Sequence, residues 1–381
     1  MKITKKWRLV RADTDIADWY GGYIPALLRA CAEGKIPDTM AFFTINKPSV
    51  FIQRYCDILR DINYDACVRH NIKITRSIGA GGGVMYNEPG TEPAVILIWN
   101  KDNNPDIPTQ PDLIMMKFLG TGADIISETF GVPVRFRPLN DLECWDPERK
   151  VWRKMAGTGA SGLFGAVGTG LVPHSTKTSD LIDEILVVPA EKFSDKTLKD
   201  VKSRNWTFEE AGVFPGGLDD IDKVRDSWFD ITVKTLKKTF DVEVEEGDWT
   251  DDEMQYFKEF TTQFHSEPWI FARSAEKKFE DIPPGTSLGK AFVKVPAGPL
   301  IRAYVLREGD NIKDMMFTGT MHMAPSDALE KLEQELIGMK IDQSAITAKV
   351  EQWFGTGVQI GMLEPSRLAN VIMEACKLSY E

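Results

Sequence analysis

Five consecutive small residues, Gly79, Ala80, Gly81, Gly82 and Gly83, interrupt a chain that reads as strand on either side. Ile72 to Arg76 is a β-branched run, and Ala94 to Trp99 is a dense apolar one. A stretch with almost no side chain adds nothing to a core. Its use is to bring main chain close to something. Glycine N–H groups that converge in such a loop suit an anion or a phosphate, and Arg76 at the entrance adds a fork of donors for phosphate or carboxylate. A tight strand connection or a glycine-rich hairpin is the alternative that these residues leave open. Neither familiar phosphate fingerprint is present. No G-x-G-x-x-G opens a helix, and no G-K-S or G-K-T follows. A loop between two strands also differs from the strand-to-helix turn of dinucleotide-binding folds.

A second constellation repeats the theme. Arg153 to Thr169 reads R-K-M-A-G-T-G-A-S-G-L-F-G-A-V-G-T, with Lys154 leading the small-residue run Ala156 to Gly162. Alone, this is a surface lysine beside a hairpin turn. Two glycine-rich loops, each led by a cation and each set between strands, form a clamp for a polyphosphate or an acyl phosphate anhydride.

The wider composition narrows the function classes. With a net charge of -11 over 381 residues, general binding to nucleic acid or to an anionic membrane surface is excluded, because counterion release needs a basic face. A local basic patch stays compatible with that balance. The five cysteines, Cys31, Cys56, Cys67, Cys144 and Cys376, are dispersed without a C-x-x-C, which fits a reducing compartment. His70 follows Cys67 by three residues, too few ligands for a zinc site. The basic start runs into Arg11, Asp13 and Asp15 without an apolar segment, and no later run approaches 18 apolar residues. A cytoplasmic location with no membrane partner is expected.

Along the chain, Trp7 to Val10 reads as a strand and Asp13 to Glu33 as a helix weakened at Gly21, Gly22 and Pro25. Thr39 to Asn46 and Ser49 to Gln53 read as a strand pair, and Asn63 to His70 as a short helix. Asp112 to Phe130 is an amphipathic helix, and Val132 to Phe136 a strand running into Arg137, Pro138, Leu139, Asn140 and Asp141. Ser227 to Phe240 and Asp251 to Phe264 are further amphipathic helices, the latter opened by a Thr250/Glu253 capping box. Pro283-Pro284-Gly285 marks a linker. Strands at Leu288 to Val295, Leu300 to Glu308 and Ile312 to Gly319 follow, then helices at Ser326 to Leu336, Ser344 to Trp353 and Glu364 to Leu378. The expected division is a domain over residues 1–280, a linker over 281–287 and a small α+β domain over 288–381.

With both glycine runs and the terminal segment in view, the chain resembles the lipoate-protein ligase family over essentially its whole length. N-K-P-S-V-F-I-Q-R-Y at Asn46 to Tyr55 looks like the strand pair preceding the family's substrate loop. R-S-I-G-A-G-G-G-V-M-Y-N-E-P-G is similar to its R-R-x-S-G-G-G-A-V-x-H-D-x-G signature, and N-D-L at Asn140 followed by K-M-A-G-T-G-A at Lys154 to its N-D and K-I-S-G-S-A motifs. The order and spacing of these motifs carry the resemblance. Departures are Ser77 for the second Arg, Ala80 for the Ser before the triple glycine, Asn87-Glu88 for His-Asp, and Val167 to Thr169 where His-His-Gly is usual.

The resemblance implies an α+β fold: a catalytic domain with a mixed, mainly antiparallel sheet flanked by helices, related to biotin protein ligases and class II synthetase cores, plus a C-terminal accessory domain. It implies that lipoate attacks ATP to give lipoyl-AMP, and that a lysine of a carrier protein takes the acyl group. That carrier is an acyltransferase lipoyl domain or a glycine-cleavage H-type protein. Lys154 is then the catalytic residue. Arg76, Ala80, Gly81, Gly82, Gly83, Asn87, Asn140, Asp141, Gly157, Thr158, Gly159 and Ala160 are expected around ATP and the adenylate. Asp141 is also expected to position Mg²⁺, and Ile78, Val84 and Tyr86 to wall the acyl pocket. The accessory domain is expected to close and open about Pro283 to Gly285. Two other functions stay open: an octanoyl or lipoyl transferase acting through a thioester on Cys144, and a non-catalytic homologue that binds a lipoylated partner. Biotin stays open as the acid.

Overall fold

The computed structural model describes residues 5–377 apart from 92, 139, 178, 188, 194–200 and 297. In chain order the first eleven strands are β1 (Lys5–Thr14), β2 (Thr39–Ile45), β3 (Ser49–Ile52), β4 (Lys73–Arg76), β5 (Val84–Asn87), β6 (Ala94–Asn100), β7 (Val134–Arg137), β8 (Asp141–Asp146), β9 (Val151–Leu163), β10 (Ala166–Pro173) and β11 (Val242–Glu246). Eight of them form one sheet in the order β11-β1-β2-β6-β10-β9-β8-β7. Only the β11–β1 and β1–β2 pairs are parallel, so the sheet is mixed and mainly antiparallel.

The sheet is covered on both faces, and β6 shows why its sequence is apolar throughout. Val95, Leu97 and Trp99 pack with the helices Pro111–Phe130 and Ile221–Phe240, while Ala94, Ile96 and Ile98 pack with Ile24–Ala32 and Asp251–Phe264. Alternate residues of a strand point to opposite faces, so a doubly covered strand needs an apolar residue at every position. The helix Asp251–Phe264 starts with the expected capping box on Thr250 and Glu253. The helix expected over Asp13 to Glu33 begins at Ile16 and carries a π-helical turn at Trp19–Tyr23. There a Cβ on Gly22 would lie 2.5 Å from the Phe257 ring, so glycine admits the neighbouring helix.

Topology explains the first glycine run. β4 and β5 lie on opposite sides of β3, so residues 77–83 must cross the end of that strand. The crossing is tied down by Arg54 N–H to the Gly79 carbonyl and Gln53 N–H to the Gly83 carbonyl, each 3.1 Å. A Cβ on Gly81 would lie 2.5 Å from the Gln53 side chain. The second run is not a loop at all. Ala156 to Gly162 lies inside β9, and the turn comes only at Phe164 and Gly165.

The C-terminal part adds β12 (Thr286–Lys294), β13 (Leu300–Glu308), β14 (Asn311–Thr320), β15 (Met323–Ala324) and β16 (Gln359–Ile360). β12, β13 and β14 make an antiparallel meander, and one face packs on the helices Ala328–Leu336, Gln343–Gly355 and Pro365–Lys377. Thr286 and Ser287, expected in the linker, already belong to β12. Leu378, the expected end of the last helix, lies outside the described residues. Tyr55 and Ala80 of the N-terminal part join this second core. Main chain crosses the seam too: Gly319 N–H donates to the Tyr55 carbonyl at 2.7 Å and Met321 N–H to the Gly81 carbonyl at 2.9 Å. A buried Arg273–Glu333 pair at 2.6 Å and an Arg54–Glu330 pair at 2.7 Å complete the contact. Among the described residues no helix is long and apolar enough to cross a membrane.

Candidate active site

β9 makes the site by a change of register. Ala156 pairs with Leu142 and Lys154 with Glu143, which leaves Met155 as an extra residue. A bulge of this kind re-aims the side chain beside it. Met155 and Ala156 join the core, and Lys154 comes to share a face with Gly157: a Cβ there would lie 3.1 Å from the ammonium Nζ. The glycines of β9 therefore leave room above the strand.

Two cavities meet at this point. The larger, of about 250 Å³, is lined by Arg137, Lys154, Arg204 and Lys294, with Asp141 as the single carboxylate among its described residues. Four cations gather here in an acidic chain, with Arg137 shared between Asp141 at 3.6 Å and Glu143 at 3.3 Å, a setting suited to a polyanion. The smaller, of about 110 Å³, is walled by Tyr20, Ile24, Leu28, Phe51, Ile78 and Leu163 and floored by Gly157, Gly159, Gly168 and Gly170. Lys154, Asn140, Gly82, Val84 and Met85 border both. Tyr20 stacks flat on Phe51, with ring centroids 3.6 Å apart.

Asp141 organises the cations of the larger cavity. Its carboxylate takes Lys154 Nζ at 3.0 Å, Arg137 Nη1 at 3.6 Å, and a close pair with Arg204. Arg204 arrives because the segment after it pairs with β9, Trp206 N–H donating to the Lys154 carbonyl at 2.8 Å. His174 stands next to this group, partly open to the cavity. Burial, and then the Lys154 cation, push its pKa down to about 3, so the imidazole is neutral near pH 7. Asn140 Nδ2 donates to the Thr158 carbonyl at 2.9 Å. Asn87 is buried at the cavity wall and donates to Thr91 Oγ1 at 2.9 Å.

Several expected site residues fall elsewhere. Arg76 lines neither cavity; its guanidinium is fully buried and donates to the carbonyls of Gln53, Arg54, Cys56, Trp269 and Ile270. It holds three chain segments together instead of phosphate. Gly81 also lines neither cavity, being spent on Gln53 and Met321. Ala80, Gly83, Gly157, Thr158, Gly159 and Ala160 border the smaller cavity and not the larger, cation-lined one. Ile78 walls that small cavity and Val84 borders both, whereas Tyr86 faces the larger one and donates its hydroxyl to Glu88 at 2.8 Å. As for magnesium, Asp141 already faces three cations, and no group of three or more His, Cys, Asp or Glu among the described residues is placed to hold a metal. The residues present do not fit a protein-held ion.

The sequence reading missed Arg137, His174, Arg204, Lys294 and His322. The last two come from the C-terminal part, with Lys294 Nζ donating to the Gly298 carbonyl at 2.9 Å. None of the five cysteines lines either cavity, and Cys144, on β8, points into the core, where desolvation pushes its thiol up to about 11.

No family model matches the sequence. Among curated proteins it is similar to octanoyltransferase LipM of Anoxybacillus flavithermus, 24% identical over 276 residues, covering 65% of this chain and 91% of that protein. It is also similar to octanoyltransferase LipM of Geobacillus kaustophilus, at 23% over the same shares. Among solved structures, P. falciparum LipL1 in complex with lipoate superposes with a TM-score of 0.62 at 11% identity, over 96% of this chain and 98% of that one. The chain has the lipoate-protein ligase fold. Two further structures with this fold agree. Lipoate-protein ligase A bound with ATP has a TM-score of 0.54 at 14% identity over 70% of this chain and 99% of its own. The bipartite lipoate protein ligase of Thermoplasma acidophilum has 0.53 at 17% over 71% and 97%. The sequence relatives are named octanoyltransferases and the structural ones lipoate ligases, so the fold alone does not choose between the two activities.

Proposed function

We propose that the chain activates lipoate with ATP to lipoyl-AMP and transfers the lipoyl group to a lysine of a carrier protein. One observation carries this reading: Lys154 stands where a smaller cavity walled by Tyr20, Ile24, Leu28, Phe51 and Ile78 meets a larger one lined by Arg137, Arg204 and Lys294. The acyl chain occupies the first, with its carboxylate at the mouth, and the nucleotide phosphates occupy the second. The carboxylate oxygen attacks the α-phosphorus, pyrophosphate leaves, and the mixed anhydride stays beside Lys154. The carrier amine then attacks the acyl carbon, the carbon–oxygen bond to the phosphoryl group breaks, and AMP departs. A preorganised ammonium at that point is typically worth about 3 kcal/mol of barrier. Magnesium, where used, comes with the nucleotide phosphates. The carrier is a lipoyl domain or H-type protein, in the cytoplasm, and the C-terminal part opens about Pro283 to Gly285 to admit it.

Pyrophosphate release with ATP and lipoate, octanoate, biotin or no acid tests the proposal. Release that requires lipoate supports it, and silence with every acid removes it.

The sequence relatives favour a second reading, acyl transfer without ATP. Through a thioester it needs a thiolate at the cavity. Cys144 lies in the core with a raised pKa, which speaks against it. ATP-independent octanoyl transfer from a loaded carrier, lost in Cys144→Ser, would establish this reading in place of the first.

A further inference from the structure

The C-terminal part places an imidazole inside the site. His322 follows β14 and is 4% exposed, with its ring over both glycine runs. A Cβ on Gly82 would lie 3.3 Å from its Nε2, and one on Gly159 3.7 Å from its Cε1. The ring is thus in close contact with the Gly82 backbone and within ordinary contact distance of Gly159. The backbone around it is fixed on both sides, with Met321 N–H on the Gly81 carbonyl at 2.9 Å and Gly361 N–H on the His322 carbonyl at 3.1 Å.

On β9 the ring stands over Gly159 and the Lys154 ammonium over Gly157. Residues two apart on a strand are separated by about 7 Å. The two groups therefore bracket the join of the cavities, one from each half of the chain. A packing role alone would be served by leucine, without bringing ring nitrogens to a cationic cavity wall.

We propose that His322 is a substrate-contacting residue supplied by the C-terminal part, donating a hydrogen bond to the acyl-phosphate group of the adenylate opposite Lys154. This rests on the ligase reading. It also makes adenylation conditional on docking of the C-terminal part, since Met321 and Gly81 hold the ring in place.

The test uses the full chain with His322→Leu, which fills the space, and His322→Gln, which keeps a donor. Pyrophosphate release should fall at least about 30-fold in kcat for the leucine variant and recover to within about tenfold of wild type for glutamine. KM for the acid should move less than about threefold. Leucine turnover within threefold of wild type overturns the proposal. So does an equal loss in both variants accompanied by new protease cleavage at Pro283 to Gly285, which is the signature of undocking. Binding of a non-hydrolysable lipoyl-sulfamoyl adenosine separates this inference from the ligase reading. If wild type releases no pyrophosphate with any acid, the ligase reading fails. His322 contact is then judged by analogue affinity alone, expected at least tenfold weaker in the leucine variant; equal affinity, or no binding to wild type, overturns it.

Discussion

Replacing Lys154 by methionine removes one ammonium while keeping most of the stem beside Gly157. Two effects are separable because Asp141 has other partners. In the variant the carboxylate still faces Arg204 and, at 3.6 Å, Arg137, so no buried charge is orphaned. The ion pair lost is 3.0 Å long, with the lysine side chain 20% exposed, which places its net worth near 1 kcal/mol once desolvation is set against attraction. The barrier to adenylation should rise by about 3 kcal/mol, close to 150-fold in kcat. The assay is pyrophosphate release at saturating ATP and lipoate, with urea unfolding of both proteins alongside. A kcat within threefold of wild type would refute the argument and leave the phosphoryl charge to Arg137 and Arg204. A loss of stability beyond about 3 kcal/mol would refute the electrostatic part, because it would mean that Asp141 depends on Lys154 alone.

Arg76→Met should destabilise the fold by about 4 kcal/mol or more in urea unfolding, since five buried carbonyls lose their donor, while folded protein keeps its KM for ATP. A raised KM with normal stability would return Arg76 to the phosphates. Gly168→Val should fill the small cavity, where an added Cβ would lie 3.5 Å from Leu28, and raise KM for the acyl acid about tenfold or more while leaving ATP unaffected. Equal effects on both substrates would mean that the acyl chain lies elsewhere. His174 has its folded pKa drawn down from 6.5 to about 3, so the unfolded chain binds the extra proton first, and its contribution is present above pH 6.5 and lost as pH falls through that window. His174→Gln should flatten the decline in stability between pH 6.5 and 4, and an unchanged slope would show that the histidine is not responsible.

What the sequence made legible follows from range. Lys154 is visible as a cation leading a run of small residues, and both glycine runs announce close approach. What they approach is set by long-range packing. Gly81 meets Gln53 because β3 lies between β4 and β5, and Gly82 meets His322 because a separate core docks on Tyr55 and Ala80. Arg76 looked like an anion ligand because an arginine before a glycine loop has that chemistry; its claim on five carbonyls depends on segments 20 to 194 residues away. Arg137 was in view, three residues before Asn140, and only the β7–β8 pairing turns it toward Asp141. His322 had one available signal, being one of four histidines in the chain and lying at the end of an apolar strand.

The seam that carries Met321 onto Gly81 also sets an order of events during synthesis. The strands of the main sheet are complete once Glu246 has been made, yet Lys294 and His322 are still to come. At about 5–20 residues per second the remainder emerges over several seconds to half a minute. Through that interval a nascent chain displays Tyr55 and Ala80 without their cover, and the larger cavity lacks one wall. A chain stopped short of β14 would therefore be sticky and would lack His322, so late trimming or stalling would expose apolar surface and open the cavity together.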